Sequence, residues 1–227
     1  MGLSVAPKVK ICCIGSVEEA RLAIWYGASA LGLVSEMPSG PGVIPEEFIA
    51  KIASAVPPFV TSVLLTSERD ASSIFEQHRR CGTNAIQICD EIGMSALDEL
   101  GRRLSGVKII QVIHVRDKES VEEAAFVGPH VDAILLDSGD PSLRVKELGG
   151  TGRIHDWSLS RRIRESVEVP VILAGGLDPD NVAEAIRVVR PYAVDVCGGV
   201  RTGGMLDESK LREFFKQVNR SLCSPEG

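Results

Sequence analysis

The stretch VILAGGLDPDNVAEAIRVVRPYAVDVCGGV, residues Val171–Val200, contains two short apolar runs on either side of a segment with helical spacing. The run Val171–Ala174 is apolar at every position, and Ala193–Cys197 is apolar except at Asp195, which indicates strands buried on both faces. The segment between them opens at Asp178-Pro179-Asp180-Asn181, a sequence typical of a helix start. This order of strand, helix and strand predicts that the two strands are parallel.

The same alternation extends through the rest of the chain. Helix-start signals recur at Ser16-Val17-Glu18-Glu19, at Pro45-Glu46-Glu47 and at Asp207-Glu208-Ser209. Eight strand–helix units close into a barrel more naturally than they form an open sheet. The sequence therefore predicts one α/β domain over residues 1–227, a (β/α)8 TIM barrel with frayed ends at about 1–7 and 221–227. The other six predicted strands are Val9–Ile14, Ala30–Val34, Phe59–Leu65, Ala85–Ile88, Val107–Val115 and Val131–Leu136.

Composition limits the classes of partner. The chain of 227 residues has a net charge of −6 and no cluster of basic residues, which argues against nucleic-acid binding. No apolar run is long enough for a signal peptide or a membrane span, so we expect a cytoplasmic protein with no membrane partner. Its six cysteines are then expected to be reduced thiols. A phosphorylated ligand remains compatible with the acidic charge, because backbone N–H groups at helix starts can hold phosphate.

Two glycine pairs follow the last two predicted strands. Gly175-Gly176 and Gly198-Gly199 each stand where a strand gives way to a helix start. Glycine lets the backbone approach a ligand closely, and phosphate sites of such barrels commonly follow strands seven and eight. Each pair alone is compatible with a simple tight turn, whereas both together predict a phosphate site.

Two candidates for proton transfer also lie at strand ends. Cys12 ends the first strand, where it is either a buried core thiol or a group presented to the barrel mouth. Asp137 ends the sixth strand after three apolar residues, where it either closes a turn through Ser138-Gly139 or is a desolvated general acid. Cys13 follows Cys12, and because side chains alternate along a strand, only one of the two is expected to face the mouth.

These segments together resemble the phosphoribosylanthranilate isomerase family of tryptophan biosynthesis, which has a TIM barrel of the ribulose-phosphate-binding type. The resemblance runs from residue 9 to about residue 218. The segments that carry it are Lys10-Ile11-Cys12, Leu135-Leu136-Asp137, Gly149-Gly150-Thr151-Gly152 with His155-Asp156-Trp157, Ala174–Val182 and Arg190–Val196.

The resemblance implies an Amadori rearrangement of N-(5′-phosphoribosyl)anthranilate to a 1-deoxy-ribulose phosphate, without cofactor or metal. It implies Asp137 as general acid and Cys12 as general base. The substrate phosphate would be held by Gly175, Gly176, Gly198 and Gly199, and further substrate-site residues would be Lys10, Gln87, Asp156, Asp195 and Arg201. The implied partner is a small phosphorylated sugar, and the chain would be a monomer or a homodimer.

Three positions depart from the family pattern, and all concern the mouth. Cys13 stands where family members usually have glycine. The loop Ser39–Val43 has no arginine. Gln87 matches the family pattern, but Cys89, two residues later, stands where family members have a histidine. Arg201 or Arg153 are candidates to replace the loop arginine. The alternatives are a paralogous barrel isomerase acting on a different phosphorylated aminosugar, or a non-catalytic sugar-phosphate binder.

Overall fold

Eight parallel strands form a closed barrel in this computed structural model, which describes residues 6–140, 142–150 and 152–221. Each strand pairs with the next, and the last closes on the first. The strands are β1 Lys8–Ile11, β2 Ala30–Val34, β3 Thr61–Thr66, β4 Ala85–Ile88, β5 Lys108–His114, β6 Ala133–Asp137, β7 Val171–Leu173 and β8 Ala193–Val196. The predicted barrel is confirmed.

A helix follows each strand and covers the outside of the barrel. A short antiparallel hairpin, Arg201–Thr202 with Met205–Leu206, precedes the last helix. None of the helices in the described part of the chain is long and apolar enough to cross a membrane. The helices are α1 Val17–Tyr26, α2 Glu46–Ala55, α3 Ala71–Cys81, α4 Met94–Arg103, α5 Glu119–Val127, α6 Trp157–Ser166, α7 Val182–Val189 and α8 Glu208–Arg220.

The apolar core has two layers because strand side chains alternate between the faces of the barrel wall. The outer layer, between strands and helices, contains fully buried residues such as Leu31, Ile86 and Phe214. The inner layer fills the barrel with residues such as Val63 and Leu135. Burying one such large apolar side chain stabilises the fold by about 1.5–3 kcal/mol. Both layers explain why the strands read as continuous apolar runs.

The predicted helix starts are confirmed, and each has a local cause. The Ser16 hydroxyl accepts the N–H of Glu19 at 3.1 Å, and the Glu19 carboxylate accepts the N–H of Gly15 at 3.0 Å. The Asp207 carboxylate caps α8 by accepting the N–H of Ser209 at 2.9 Å. The Asp178 carboxylate accepts the N–H of Asn181 at 3.0 Å and so closes the turn before α7.

Six of the eight strands differ from their predicted limits by one to three residues. The first strand ends at Ile11 rather than Ile14, because Cys13 takes the left-handed conformation with a φ of 61°. The third begins at Thr61 because Phe59 has a φ of 72°. The sixth extends to Asp137, which therefore belongs to the barrel wall.

The predicted domain limits of 1–227 stay a prediction, because residues 1–5 and 222–227 lie outside the described residues. Thr151, in the glycine-rich segment after β6, also lies outside them. Five of the six cysteines are described, and all five are free thiols. Cys223 lies among the residues that are not described.

Candidate active site

A cavity of about 220 Å³ opens at the carboxyl ends of the barrel strands. Its lining contains most of the candidates from the sequence, because the ends of parallel strands meet at one rim of a barrel. These are Cys12, Gln87, Asp137, Asp195, Gly175, Gly176, Gly198 and Gly199.

An ion pair at the base of the cavity joins the first and last strands. The pairing of β1 with β8 sets Lys10 opposite Asp195, and the Lys10 ammonium donates to the Asp195 carboxylate at 2.7 Å. Lys10 is only 2% exposed. Burial alone would lower the pKa of Lys10, but the Asp195 carboxylate and the nearby Cys12 thiol leave it above its ordinary value. Lys10 is therefore a permanent cation inside the barrel.

The Cys12 sulfur lies beside this cation. A Cβ atom at Gly32 on β2 would be 2.8 Å from the Sγ of Cys12 and 3.1 Å from the Nζ of Lys10. Because Gly32 has no side chain, the Cys12 sulfur and the Lys10 ammonium can both occupy the space next to its Cα atom. A neighbouring ammonium stabilises a thiolate, which is the form of cysteine that accepts a proton.

Cys13 also lines the cavity, so the expectation that only one of the two thiols reaches the mouth is wrong. Strand alternation stops at Ile11, and the left-handed turn at Cys13 brings its side chain back toward the mouth. Its thiol donates to the Pro41 carbonyl at 3.6 Å. Hydrogen bonds with the thiols of Cys12 and Cys197, together with burial, raise the pKa of Cys13. Cys13 is therefore held as a neutral thiol.

The Asp137 carboxyl is buried at the end of β6, facing the cavity. Its Oδ1 accepts the N–H of Ser138 at 2.7 Å, and a Cβ atom at Gly149 would be only 2.7 Å from its Oδ2. Burial raises the pKa of Asp137, and the opposing effects of the Ser138 N–H and of His114 do not cancel this rise. Asp137 thus has the property that a general acid needs, because its carboxyl holds its proton at pH values above those at which an ordinary aspartate loses it.

The glycine pairs provide close backbone approach at the ends of β7 and β8, between Asp137 on β6 and Cys12 after β1. Gly175 and Gly176 have φ angles of 81° and 64°, which favour glycine. A Cβ atom at Gly199 would lie 2.0 Å from the Leu177 carbonyl oxygen, so the segments after β7 and β8 pack directly on each other. Glycine at these positions lets backbone N–H groups line the cavity without side chains in front of them.

Gly199→Ala is expected to lower the free energy of unfolding by about 1–3 kcal/mol, because the new methyl group must displace the backbone at Leu177. Chemical denaturation measures the change. Gly198→Ala is the matched control, since a Cβ atom there meets no atom within 4 Å. Equal stability of the two variants would contradict the packing described here.

Three of the predicted substrate-site residues do not line the cavity, namely Lys10, Asp156 and Arg201. Lys10 is held in the ion pair with Asp195. Arg201 donates to the Glu19 carboxylate at 2.8 Å and to the Cys13 carbonyl oxygen at 2.6 Å, and so fixes the end of β1. Asp156 is exposed and caps α6, accepting the N–H of Ser158 at 2.8 Å. All three side chains are occupied by structural contacts, which sequence position alone does not reveal.

Arg201→Met is expected to lower the free energy of unfolding by about 2–4 kcal/mol, because it removes a mostly buried ion pair with Glu19. The KM for substrate is expected to stay largely unchanged, since Arg201 lies outside the cavity lining. Denaturation curves and steady-state kinetics test the two parts. Unchanged stability with a KM raised about tenfold would instead indicate a charged contact with substrate.

His155 is a residue near the site that the sequence did not single out for a role. A Cβ atom at Gly175 would lie 3.0 Å from the Nδ1 of His155 and 3.2 Å from the Oδ1 of Asp137. Burial lowers the pKa of His155 to about 4, so the ring is neutral. Only its place in the glycine-rich segment before α6 could have drawn attention to it.

No group of three or more His, Cys, Asp or Glu side chains with metal-binding geometry occurs within residues 6–140, 142–150 and 152–221. The expectation that the chain needs neither metal nor cofactor stays a prediction.

Comparison with known proteins gives consistent matches over nearly the whole barrel. The model of the family described as N-(5′-phosphoribosyl)anthranilate (PRA) isomerase matches residues 9–217. The N-(5′-phosphoribosyl)anthranilate isomerase of Methanosarcina acetivorans is 38% identical over 94% of this chain and 94% of its own length. The enzyme of the same name from Methanocella arvoryzae is also 38% identical, over 93% of this chain and 97% of its own.

Solved structures agree with these matches. The crystal structure of phosphoribosylanthranilate isomerase from Thermotoga maritima has a TM-score of 0.81 and 31% identity, covering 94% of this chain and 99% of that one. A phosphoribosylanthranilate isomerase in complex with reduced 1-(o-carboxyphenylamino)-1-deoxyribulose 5-phosphate has a TM-score of 0.79 and 29% identity, with the same coverage.

Proposed function

This chain belongs to the N-(5′-phosphoribosyl)anthranilate isomerase family, and we propose that its site catalyses an Amadori rearrangement with Asp137 as acid and Cys12 as base. The substrate is N-(5′-phosphoribosyl)anthranilate, and the product is 1-(2-carboxyphenylamino)-1-deoxy-ribulose 5-phosphate. The observation that carries the proposal is that one cavity is bordered both by a carboxyl of raised pKa and by a thiol beside a buried lysine.

Asp137 begins the reaction by donating its proton to the ring oxygen of the ribose. The C1′–O bond breaks, and the nitrogen lone pair forms the C=N bond of a protonated Schiff base. Burial supports this role because it raises the pKa of Asp137, so the carboxyl stays protonated at pH values that ionise an ordinary aspartate. This step leaves Asp137 as a carboxylate, and its proton is restored when the 2′ hydroxyl loses its proton in the later tautomerisation.

Cys12 then acts as the base. Its thiolate removes the proton from C2′, and the electron pair moves to form the enolamine, which tautomerises to the ketose. The Lys10 ammonium supports the thiolate, because the Gly32 gap places both groups together. General acid and base groups of this kind each contribute about 10²–10⁴-fold to rate.

The polar lining supports binding of the sugar phosphate. We propose that Gly175, Gly176, Gly198 and Gly199 hold the phosphate through their backbone N–H groups. Gln87 Oε1 and Asp195 Oδ1 are buried and have no hydrogen-bond partner within the described residues. Both residues line the cavity, so these oxygens are suited to accept hydrogen bonds from ribose hydroxyls.

One observation favours the second candidate, an isomerase acting on another phosphorylated aminosugar. None of the described residues that line the cavity is a lysine or an arginine. An aminosugar without a carboxylate would not need a lysine or arginine in the lining, whereas the aryl carboxylate of the anthranilate substrate would.

Turnover of freshly prepared N-(5′-phosphoribosyl)anthranilate, followed by the loss of its fluorescence, tests the proposal. We expect enzyme-dependent conversion. Absence of conversion by folded protein that still binds a sugar phosphate would overturn the assignment, and would favour either the second candidate or a non-catalytic binder. A cytoplasmic location and a monomeric or homodimeric state stay predictions.

A further inference from the structure

The proposed substrate has two anionic groups, a phosphate and an aryl carboxylate, and the glycine pairs offer a binding site for the phosphate alone. Its phosphate fits the glycine side, but its aryl carboxylate meets a lining that includes the carboxylates of Asp178 and Asp195 and no described cationic side chain. Two carboxylates at close range repel each other, so a carboxylate needs a cation or several N–H donors nearby. The cation must therefore come from the rim.

The site geometry shows on which side the cation is needed. The glycine pairs follow β7 and β8, and the acid and base stand on β6 and β1. A substrate whose phosphate lies against the glycines and whose reacting carbons lie between Asp137 and Cys12 extends its aryl group toward the ends of β2, β3 and β4.

Lys146 lies on that side of the mouth. Its ammonium is 2.5 Å from the carboxylate of Asp90, a buried residue that directly follows the cavity-lining Cys89. Its backbone carbonyl accepts the hydroxyl of Ser39 at 2.5 Å, and Ser39 also lines the cavity. Lys146 thus joins the loops after β2, β4 and β6 at the rim.

Two other cations near this side are less suited. Arg69 is 60% exposed at its side chain, and Arg116 is 47% exposed, whereas Lys146 is 32% exposed. The loops that carry Arg69 and Arg116 contribute none of the described lining residues, but the loop that carries Lys146 contributes Leu148. Of these three cations on the β2–β4 side, Lys146 is therefore the best placed to reach a ligand.

We infer that Lys146 determines specificity by binding the aryl carboxylate of the substrate, with Asp90 holding its ammonium at the rim. This inference rests on the proposed isomerase function. An ammonium has three N–H donors, so it serves the Asp90 carboxylate and a substrate carboxylate together. Lys146 thereby supplies the charge that the loop Ser39–Val43, which has no basic residue, does not.

The test compares Lys146→Met on two substrates that differ only in the carboxylate, N-(5′-phosphoribosyl)anthranilate and N-(5′-phosphoribosyl)aniline, the second prepared from aniline and ribose 5-phosphate. On the anthranilate substrate we expect KM to rise roughly tenfold to a hundredfold with kcat nearly unchanged, the usual effect of losing a charge-assisted hydrogen bond. On the aniline substrate we expect less than about a twofold change. Lys146→Arg is expected to restore most of the loss.

Arg69→Met is the matched control, because Arg69 is also an Asp90 partner, at 3.8 Å, but on a loop outside the cavity. It should leave both KM values unchanged. An equal effect of Lys146→Met on both substrates, or none on either, would overturn the inference and leave Lys146 as a structural contact of Asp90. If the parent protein converts neither substrate, it is the proposed function that fails.

Discussion

The Asp137→Asn variant is expected to lose about a thousandfold in kcat while it keeps its affinity for the phosphorylated reaction product. Asparagine has nearly the shape of aspartic acid and can still accept the N–H of Ser138, so the rim of β6 stays in place. It has no acidic proton to give to the ribose ring oxygen. Steady-state kinetics with N-(5′-phosphoribosyl)anthranilate measure the loss, and calorimetric titration with the product measures the affinity.

The pH dependence of the parent protein provides a second measure of Asp137. Since the acid must be protonated, kcat/KM is expected to fall as pH rises through its raised pKa. The raised folded-state pKa also means that stability due to this group is present at low pH and is lost as pH rises through it. Asp137→Asn removes that titration, so the stability of the variant relative to the parent is expected to increase as pH rises through this pKa.

Asp140→Asn serves as the control, because Asp140 lies on the same loop but outside the cavity lining. It should retain the turnover of the parent. An Asp137→Asn variant with near-normal kcat would show that the proton comes from another group.

The Cys12→Ala variant is expected to lose about a hundredfold to ten-thousandfold in kcat, because it removes the thiol that takes the C2′ proton. The change removes one small, mostly buried side chain, so the cost in stability is modest compared with the effect on rate. Turnover and product binding are measured as for Asp137→Asn.

Cys13→Gly separates the roles of the two neighbouring thiols. Glycine relieves the left-handed conformation at φ 61°, which costs a non-glycine residue about 1–2 kcal/mol. We expect the variant to fold and to keep most of its activity, since Cys13 is held as a neutral thiol. Loss of activity in Cys13→Gly with retention in Cys12→Ala would reverse the assignment of the base.

The fold was predictable from the sequence because strands buried on both faces and capped helices leave strong local patterns. Ser16 and Asp207 mark helix starts through side-chain contacts with residues only a few positions away, and Pro45 does so through its backbone carbonyl, which accepts the N–H of Phe48. The end of β1 was not predictable in the same way. Cys13 reads as one more apolar strand residue, and its left-handed turn depends on the packing of Gly42 and on the Arg201 guanidinium.

The candidate site was predictable to the extent that strand ends determine it. Cys12, Asp137 and the four glycines come together because parallel strands end at one rim. The side-chain partners of long, flexible residues were not predictable. Arg201 turns to Glu19, and Lys146 reaches Asp90, because charge pairing across 56 or more positions is decided by the assembled loops.

The ion pair between Lys10 and Asp195 joins residues 185 positions apart. During synthesis, Lys10 leaves the ribosome long before its counter-ion, and a lysine cannot be buried in an apolar barrel without one. The amino-terminal strand therefore has no stable place until the eighth strand has been made. Closure of the barrel and completion of the site are therefore expected to occur together, after the eighth strand has been made.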